Sequence, residues 1–255
     1  MAVVGGPRSG KSSALQTLLL GLTATAAPRR LSIYGLDLGD GVLTALRQHP
    51  HVGTIAGRHE PELLRRIVSQ LSALCRRRQE FRQQHGPAVP FPDRYGDVIL
   101  AVDGWAVLRR ESDALEDTIT AMVAQGLSVG IHVVLTANRW AELRPMLKDH
   151  IGTRIELRLG DPTESEMDRR RAQLLANCPP GRGLTSDGKE FVVALPQLDV
   201  VAAQPEQPAP VIELLPHHVD YAEVVTATGG ESSRHVIGIS EAELQPFALE
   251  AGPYL

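Results

Sequence analysis

The chain has 255 residues, 43% of them hydrophobic, and its 26 basic and 30 acidic residues give a formal net charge of −4 and a pI near 6.1. That is enough apolar material for one α/β domain of roughly 200 residues plus a tail, and the acidic balance excludes nucleic-acid binding through bulk charge. Cys75 and Cys178 stand far apart in no metal spacing, as in a reducing compartment. With no signal-peptide pattern and no apolar run long enough to span a bilayer, any membrane link is expected to come from another part of the protein or from a partner.

Ala2-Val3-Val4 reads as the end of a buried strand, and the eight residues that follow, GGPRSGKS from Gly5 to Ser12, fit G-x-x-x-x-G-K-[ST]. In such a loop the glycines, Gly5 and Gly10, turn the backbone so that consecutive N–H groups meet the phosphates of a nucleotide. Gly6, Pro7, Arg8 and Ser9 form the body of the cradle, Lys11 supplies a point charge, Ser12 offers its hydroxyl to Mg²⁺ and Ser13 follows on the helix. The helix that starts near Lys11 and runs to Leu22 points its positive end at the anion. Because the loop begins at residue 5, the first strand has almost no length, and both ends of the chain read as cut.

Strand and helix signals then alternate to about residue 195, which predicts a mostly parallel sheet covered on both faces. Leu31–Asp37 is a strand ending in an acid. Residues 60–84 form a long helix with Leu63, Leu64, Ile67, Val68, Leu71, Leu74 and Phe81 at helical spacing. Its arginines, Arg65, Arg66, Arg76, Arg77, Arg78 and Arg82, read as a solvated face. After a proline-rich loop at 85–96 come a buried strand at Asp97–Asp103, a helix at 112–125, and strands at 131–138 and 154–159. A helix over 163–175 is predicted to open on a Thr163-x-x-Glu166 capping box, and 181–195 reads as a hairpin. The prolines from Pro196 to Pro216 mark an extended linker over 198–234, with a short ordered piece at 235–255.

Asp103, at the end of VILAVD, is the acid a P-loop needs to hold Mg²⁺ through water, so ATP and Mg²⁺ are the expected ligands, with Ser12 and Asp103 on the metal side. Many hydrolysing P-loop enzymes place a glutamate next, to polarise the attacking water. Here the next residue is Gly104, and losing one positioned base costs on the order of 10²–10⁴ in rate. Slow hydrolysis is therefore expected, with Gly104→Glu raising turnover or Glu111 standing in. Asn138 is the candidate γ-phosphate sensor, with Thr136 the weaker alternative, and Arg154 and Arg182 are candidate arginine fingers. Trp105, Trp140 and Leu143 offer either core or an apolar peptide groove.

DLGDGVLTALRQHPHVG, VDGWAVLR, HVVLTANRW, ELRLGDPTESEMDR and PPGRGL together resemble the ATPase domains of the FtsK/SpoIIIE class, and more narrowly the EccC ATPases of type VII (ESX) secretion, over residues 2 to about 197. The resemblance implies a P-loop NTPase fold and the middle of three tandem ATPase domains, with 235–255 leading into the next. It also implies neighbouring ATPase domains of the same protein and a secretion membrane complex as partners, and secreted WXG100-type substrates handled through another domain. No nucleic acid, a homo-oligomer, hexameric in the full assembly, and a cytoplasmic place at the inner membrane complete what it implies. The alternatives are an active motor with a carboxylate from elsewhere, and a peptide- or linker-binding module with a vestigial P-loop. A DNA translocase, which the wider class allows, is disfavoured by the acidic balance.

Overall fold

The computed structural model describes residues 1–25, 30–197, 207–227, 235–241, 244 and 246–249. The chain divides into two compact units, Met1–Ile212 and Glu213–Leu255. The first is built on an eight-stranded sheet. Its strands are β1 (Ala2–Val4), β2 (Leu31–Asp37), β3 (Val52–Gly57), β4 (Asp97–Asp103), β5 (Ile131–Ala137), β6 (Arg154–Leu157), β7 (Arg182–Thr185) and β8 (Glu190–Val192). They lie in the order β3-β2-β4-β5-β1-β6-β7-β8; the first six run parallel and the β7–β8 hairpin is antiparallel.

Period-two burial splits the sheet between two cores. Val98, Leu100 and Val102 of β4 face one side, packed with α2 (Pro61–His85), α3 (Trp105–Glu111) and α4 (Asp113–Gln125). Ile99 and Ala101 face the other, against Leu15, Leu19 and Leu20 of α1 (Lys11–Thr25). Two short helices, α5 (Pro145–Asp149) and α6 (Arg169–Leu175), follow β5 and β6. The alternating order therefore gives the doubly covered parallel sheet that the sequence predicts, and β1 is in the middle because two long strands, β4 and β5, separate it from β2.

The structure departs from the sequence reading at several places. It adds β3, a glycine-bearing edge strand with weak hydrophobic alternation, and α3, directly after Asp103. No helix opens on Thr163. The Thr163 hydroxyl donates to Asp161, Glu166 pairs with Lys148, and the helix starts only at Arg169, capped by the Asp168 carboxylate accepting from the Arg170 and Arg171 N–H groups. Buried Glu156 causes the delay by drawing in the Ser165 hydroxyl and the Glu166 N–H.

The arginine face of α2 is not wholly solvated either. Arg66 and Arg78 are buried, and Arg78 closes the proline-rich loop onto the sheet. It donates to both oxygens of Asp93 at 2.8 and 2.7 Å and to the carbonyls of Val129 and Gly96. The composition boundary at Pro196 also differs from the contact boundary. Ala209 and Ile212 are buried in the first unit, with the Ile212 N–H and carbonyl both bonded to the Thr54 hydroxyl and the Pro210 carbonyl accepting from Tyr34. Residues 198–206 and 228–234 of the expected linker lie outside the described residues.

The second unit contains α7 (Tyr221–Ala227) and an antiparallel pair, β9 (His235–Ile239) with β10 (Pro246–Leu249). Among the described residues no helix is long and apolar enough to cross a membrane.

Removing one partner of a buried charge network strands the other, at a cost of about 3–5 kcal/mol. Arg78→Ala is therefore expected to lower the urea midpoint by that equivalent, with Asp93→Asn losing less because Asp93 is more exposed.

Candidate nucleotide-binding site

All the motif residues converge at the carboxyl ends of β1, β4 and β5. β1 delivers the loop, and the Gly5 N–H donates to the Ala137 carbonyl, which places Asn138 beside the loop's first residue. The two left-handed positions are Arg8 (φ 57°) and Gly10 (φ 98°), not the expected Gly5. Successive right- and left-handed residues turn main-chain N–H groups inward into an anion nest. Gly10 is required for space as well: a Cβ there would meet the Gly181 amide nitrogen at 3.1 Å. The first helical bond runs from the Ala14 N–H to the Gly10 carbonyl, so the N–H groups of Lys11, Ser12 and Ser13 have no helical acceptor and face the ligand side of the loop.

Lys11 extends back over the loop, its Nζ donating to the Gly6 carbonyl at 3.0 Å. Burial lowers its proton affinity, and the charges of Asp103, Glu142 and Asp40 oppose that shift. The loop is braced from the far side. The Gly181 N–H donates to the Ser9 carbonyl at 2.8 Å, and Arg158 reaches the Cys178 and Arg8 carbonyls. The turn that leads into β7 thus braces the loop, and the Thr17 hydroxyl ties α1 to Ala194. The Ser9 hydroxyl is turned inward, buried and without a hydrogen bond, so its share in the cradle is made by backbone.

Asp103 ends β4 with its carboxylate buried. Oδ1 accepts from the Thr136 hydroxyl at 2.6 Å, and that hydroxyl in turn accepts the Gly104 N–H at 2.9 Å. Thr136 therefore orients Asp103, a role the sequence reading did not give it. Oδ2 is buried and has no hydrogen-bond partner. Burial pushes the Asp103 carboxyl above its usual range; the Thr136 and Ser12 hydroxyls pull it back, the Asp37 charge adds to the rise and Lys11 opposes it. An orphaned carboxylate oxygen beside a serine hydroxyl is a hard, sparse donor set. Mg²⁺ suits it, since it keeps much of its water and takes few protein ligands. Among the described residues no group of three or more His, Cys, Asp or Glu is placed to hold a metal ion.

The other candidates separate clearly. Asn138 is exposed just past the end of β5, and its N–H donates to the Glu142 carboxylate. Glu111 lies at the far end of α3, roughly 9 Å along the helix from Trp105, and pairs with Arg58, so it does not substitute at position 104. Arg154 is held by the Lys148 and Ile151 carbonyls and lies over the Trp140 ring, whereas Arg182 is exposed beside the braced loop. Trp105, Trp140 and Leu143 are core, at 2% exposure or less, and line no open groove; Trp140 donates its indole N–H to Glu156.

A model of the FtsK/SpoIIIE family matches residues 1–200. The chain belongs to the FtsK/SpoIIIE family. It is 46% identical over 266 residues to the ESX-4 secretion system protein EccC4 of Mycobacterium tuberculosis, covering 99% of this chain and 22% of that protein. It is 38% identical over 280 residues to the ESX secretion system protein EccC of Thermomonospora curvata, covering 98% of this chain and 21% of that one. The chain thus spans about a fifth of the length of these relatives. Among solved structures it is similar to ATPases 2 and 3 of Thermomonospora curvata EccC in complex with a signal sequence peptide. The TM-score is 0.81 at 37% identity, over 98% of this chain and 50% of that one. The fold likeness extends over nearly all of this chain.

The structure changes the expectation for Gly104. Gly104 has φ 93°, and a Cβ there would lie 3.2 Å from the Leu38 backbone. A non-glycine residue held left-handed costs about 1–3 kcal/mol. Gly104→Glu is expected to lower thermal stability and to leave turnover unimproved, as read by calorimetric melting and phosphate release.

The acid-base balance of Asp103 has a sign that can be checked. Its folded-state pKa is raised, so folding favours the protonated form and stability falls as pH rises through the carboxylate range, while metal binding needs the ionised form. Mg²⁺-dependent nucleotide affinity is expected to fall, on acidification, at a pH above that of an ordinary aspartate. Asp103→Asn is expected to melt higher than the parent without ligand and to lose the Mg²⁺ dependence.

Proposed function

We propose that the chain is a Mg-ATP-binding domain of an EccC-type secretion motor, the middle ATPase of three, which binds nucleotide and turns it over slowly. The observation that carries this reading is the orphaned Asp103 Oδ2 beside Ser12 and Lys11, together with a left-handed glycine where a base would stand. Mg²⁺ would be held by Ser12 and Asp103 and would neutralise charge on the phosphates. The chain's own part is to cradle the phosphates with the N–H groups of Lys11, Ser12 and Ser13, hold Lys11 over the loop, and keep the Asp103 carboxylate aimed by Thr136.

The likeness to a two-ATPase EccC structure, half of which this chain covers, supports the middle position. On this reading the domain works with neighbouring ATPase domains at the cytoplasmic side of a type VII membrane complex, within an oligomer. Small WXG100-type substrates are engaged through another domain, since the candidate aromatic groove here is filled core.

Titration calorimetry with Mg-ATP is expected to show saturable, one-site binding. Lys11→Ala should weaken it at least ~10-fold, because a charge-assisted bond to phosphate contributes about 1.5–3 kcal/mol. A parent chain that takes up no Mg-ATP would overturn the reading.

A further inference from the structure

We propose that Gly39 is a positioning residue for the cation: by carrying no side chain it leaves Asp103 Oδ2 where it can serve Mg²⁺, an inference that rests on the nucleotide reading above. Asp37 ends β2 directly opposite Asp103 in the parallel register. The loop that follows is fixed on both sides of Gly39. The buried Leu38 donates its N–H to the Asp103 carbonyl at 2.9 Å. Asp37 Oδ1 accepts the Gly41 N–H at 3.2 Å, and Oδ2 accepts the Thr44 N–H at 2.9 Å and its hydroxyl at 3.1 Å. Gly39 lies between these anchors. It is exposed, yet a Cβ there would point at the metal-side carboxylate, meeting Asp103 Oδ2 at 2.7 Å and Cγ at 3.3 Å.

A carbon and an oxygen do not pack 2.7 Å apart, so a side chain at position 39 has to displace one of two neighbours. The loop cannot retreat without loosening its bonds to Asp37 and to the Asp103 carbonyl. The carboxylate cannot turn without loosening the 2.6 Å bond that Oδ1 accepts from Thr136. Of the two, the oxygen that holds no bond yields more readily, and that is Oδ2. The clash therefore falls on the one oxygen available to the cation.

Backbone conformation does not account for this glycine. Gly39 lies outside the left-handed region, whereas Gly41, two residues on, has φ 80° and open space where its Cβ would be. Position 41 needs glycine for its backbone; position 39 needs it for clearance from Asp103. The two substitutions therefore separate lost stability from lost clearance.

The test is calorimetric ATP binding in Mg²⁺ and in EDTA for the full chain, Gly39→Ala and Gly41→Ala, with melting of each. Mg²⁺ is expected to tighten ATP binding at least ~10-fold for the parent and Gly41→Ala but less than ~3-fold for Gly39→Ala, with the three alike in EDTA. Gly41→Ala is expected to melt lower than the parent and still keep its Mg²⁺ dependence. If Gly39→Ala keeps the parent's Mg²⁺ dependence, this inference alone is overturned; a parent indifferent to Mg²⁺ also overturns it. Should Gly39→Ala fail to fold, amide hydrogen exchange of the parent over residues 37–41 decides. With ATP saturating, Mg²⁺ is expected to alter that exchange, because Gly39 lies against the oxygen that serves the ion; unaltered exchange overturns the inference. A parent that binds no ATP in either condition defeats the nucleotide reading and this inference with it.

Discussion

The arrangement of this domain depends on one buried carboxylate that is only half satisfied. Asp103 lies at the end of the central strand β4, gives one oxygen to the Thr136 hydroxyl, and keeps the other free of any bond. Leaving a charged oxygen unpaired inside a protein is costly unless something binds there. The neighbouring elements read as devices to keep it in that state. β5 supplies Thr136, β2 supplies the loop that lies against the free oxygen, and α1 supplies Ser12 and Lys11.

The same point on the sheet explains Gly104. Its left-handed backbone lets β4 turn directly into α3, and its N–H completes the Thr136 relay to Asp103. A glutamate at this place would need a different turn, not merely a different side chain, because the Leu38 backbone already fills the space. The glycine beside Asp103 is thus built into the main chain.

The phosphate loop, for its part, is not a free-standing motif. Gly10 is packed against Gly181, Ser9 is bonded to the same residue, and Arg158 spans from Cys178 to Arg8. The turn that leads into β7 therefore braces a loop that starts at residue 5. This couples the shape of the phosphate loop to the turn between α6 and β7.

Much of this was legible in the sequence. The phosphate loop, the acidic end of VILAVD, the strand–helix alternation and the family resemblance each rest on residue types at fixed spacing, and local spacing is what a sequence displays. Whatever depended on distant residues meeting was decided only by the tertiary structure. Thr136 became the partner of Asp103 because parallel register put their strand ends together, and Arg78 left its expected solvated face because Asp93 and two carbonyls awaited it. The helix expected at Thr163 was delayed to Arg169 because buried Glu156 claimed the intervening donors. The sequence by itself determined the chemistry available at the site; the fold decided which groups are already bonded and which remain free, since hydrogen bonds between remote strands leave no periodic trace in the chain.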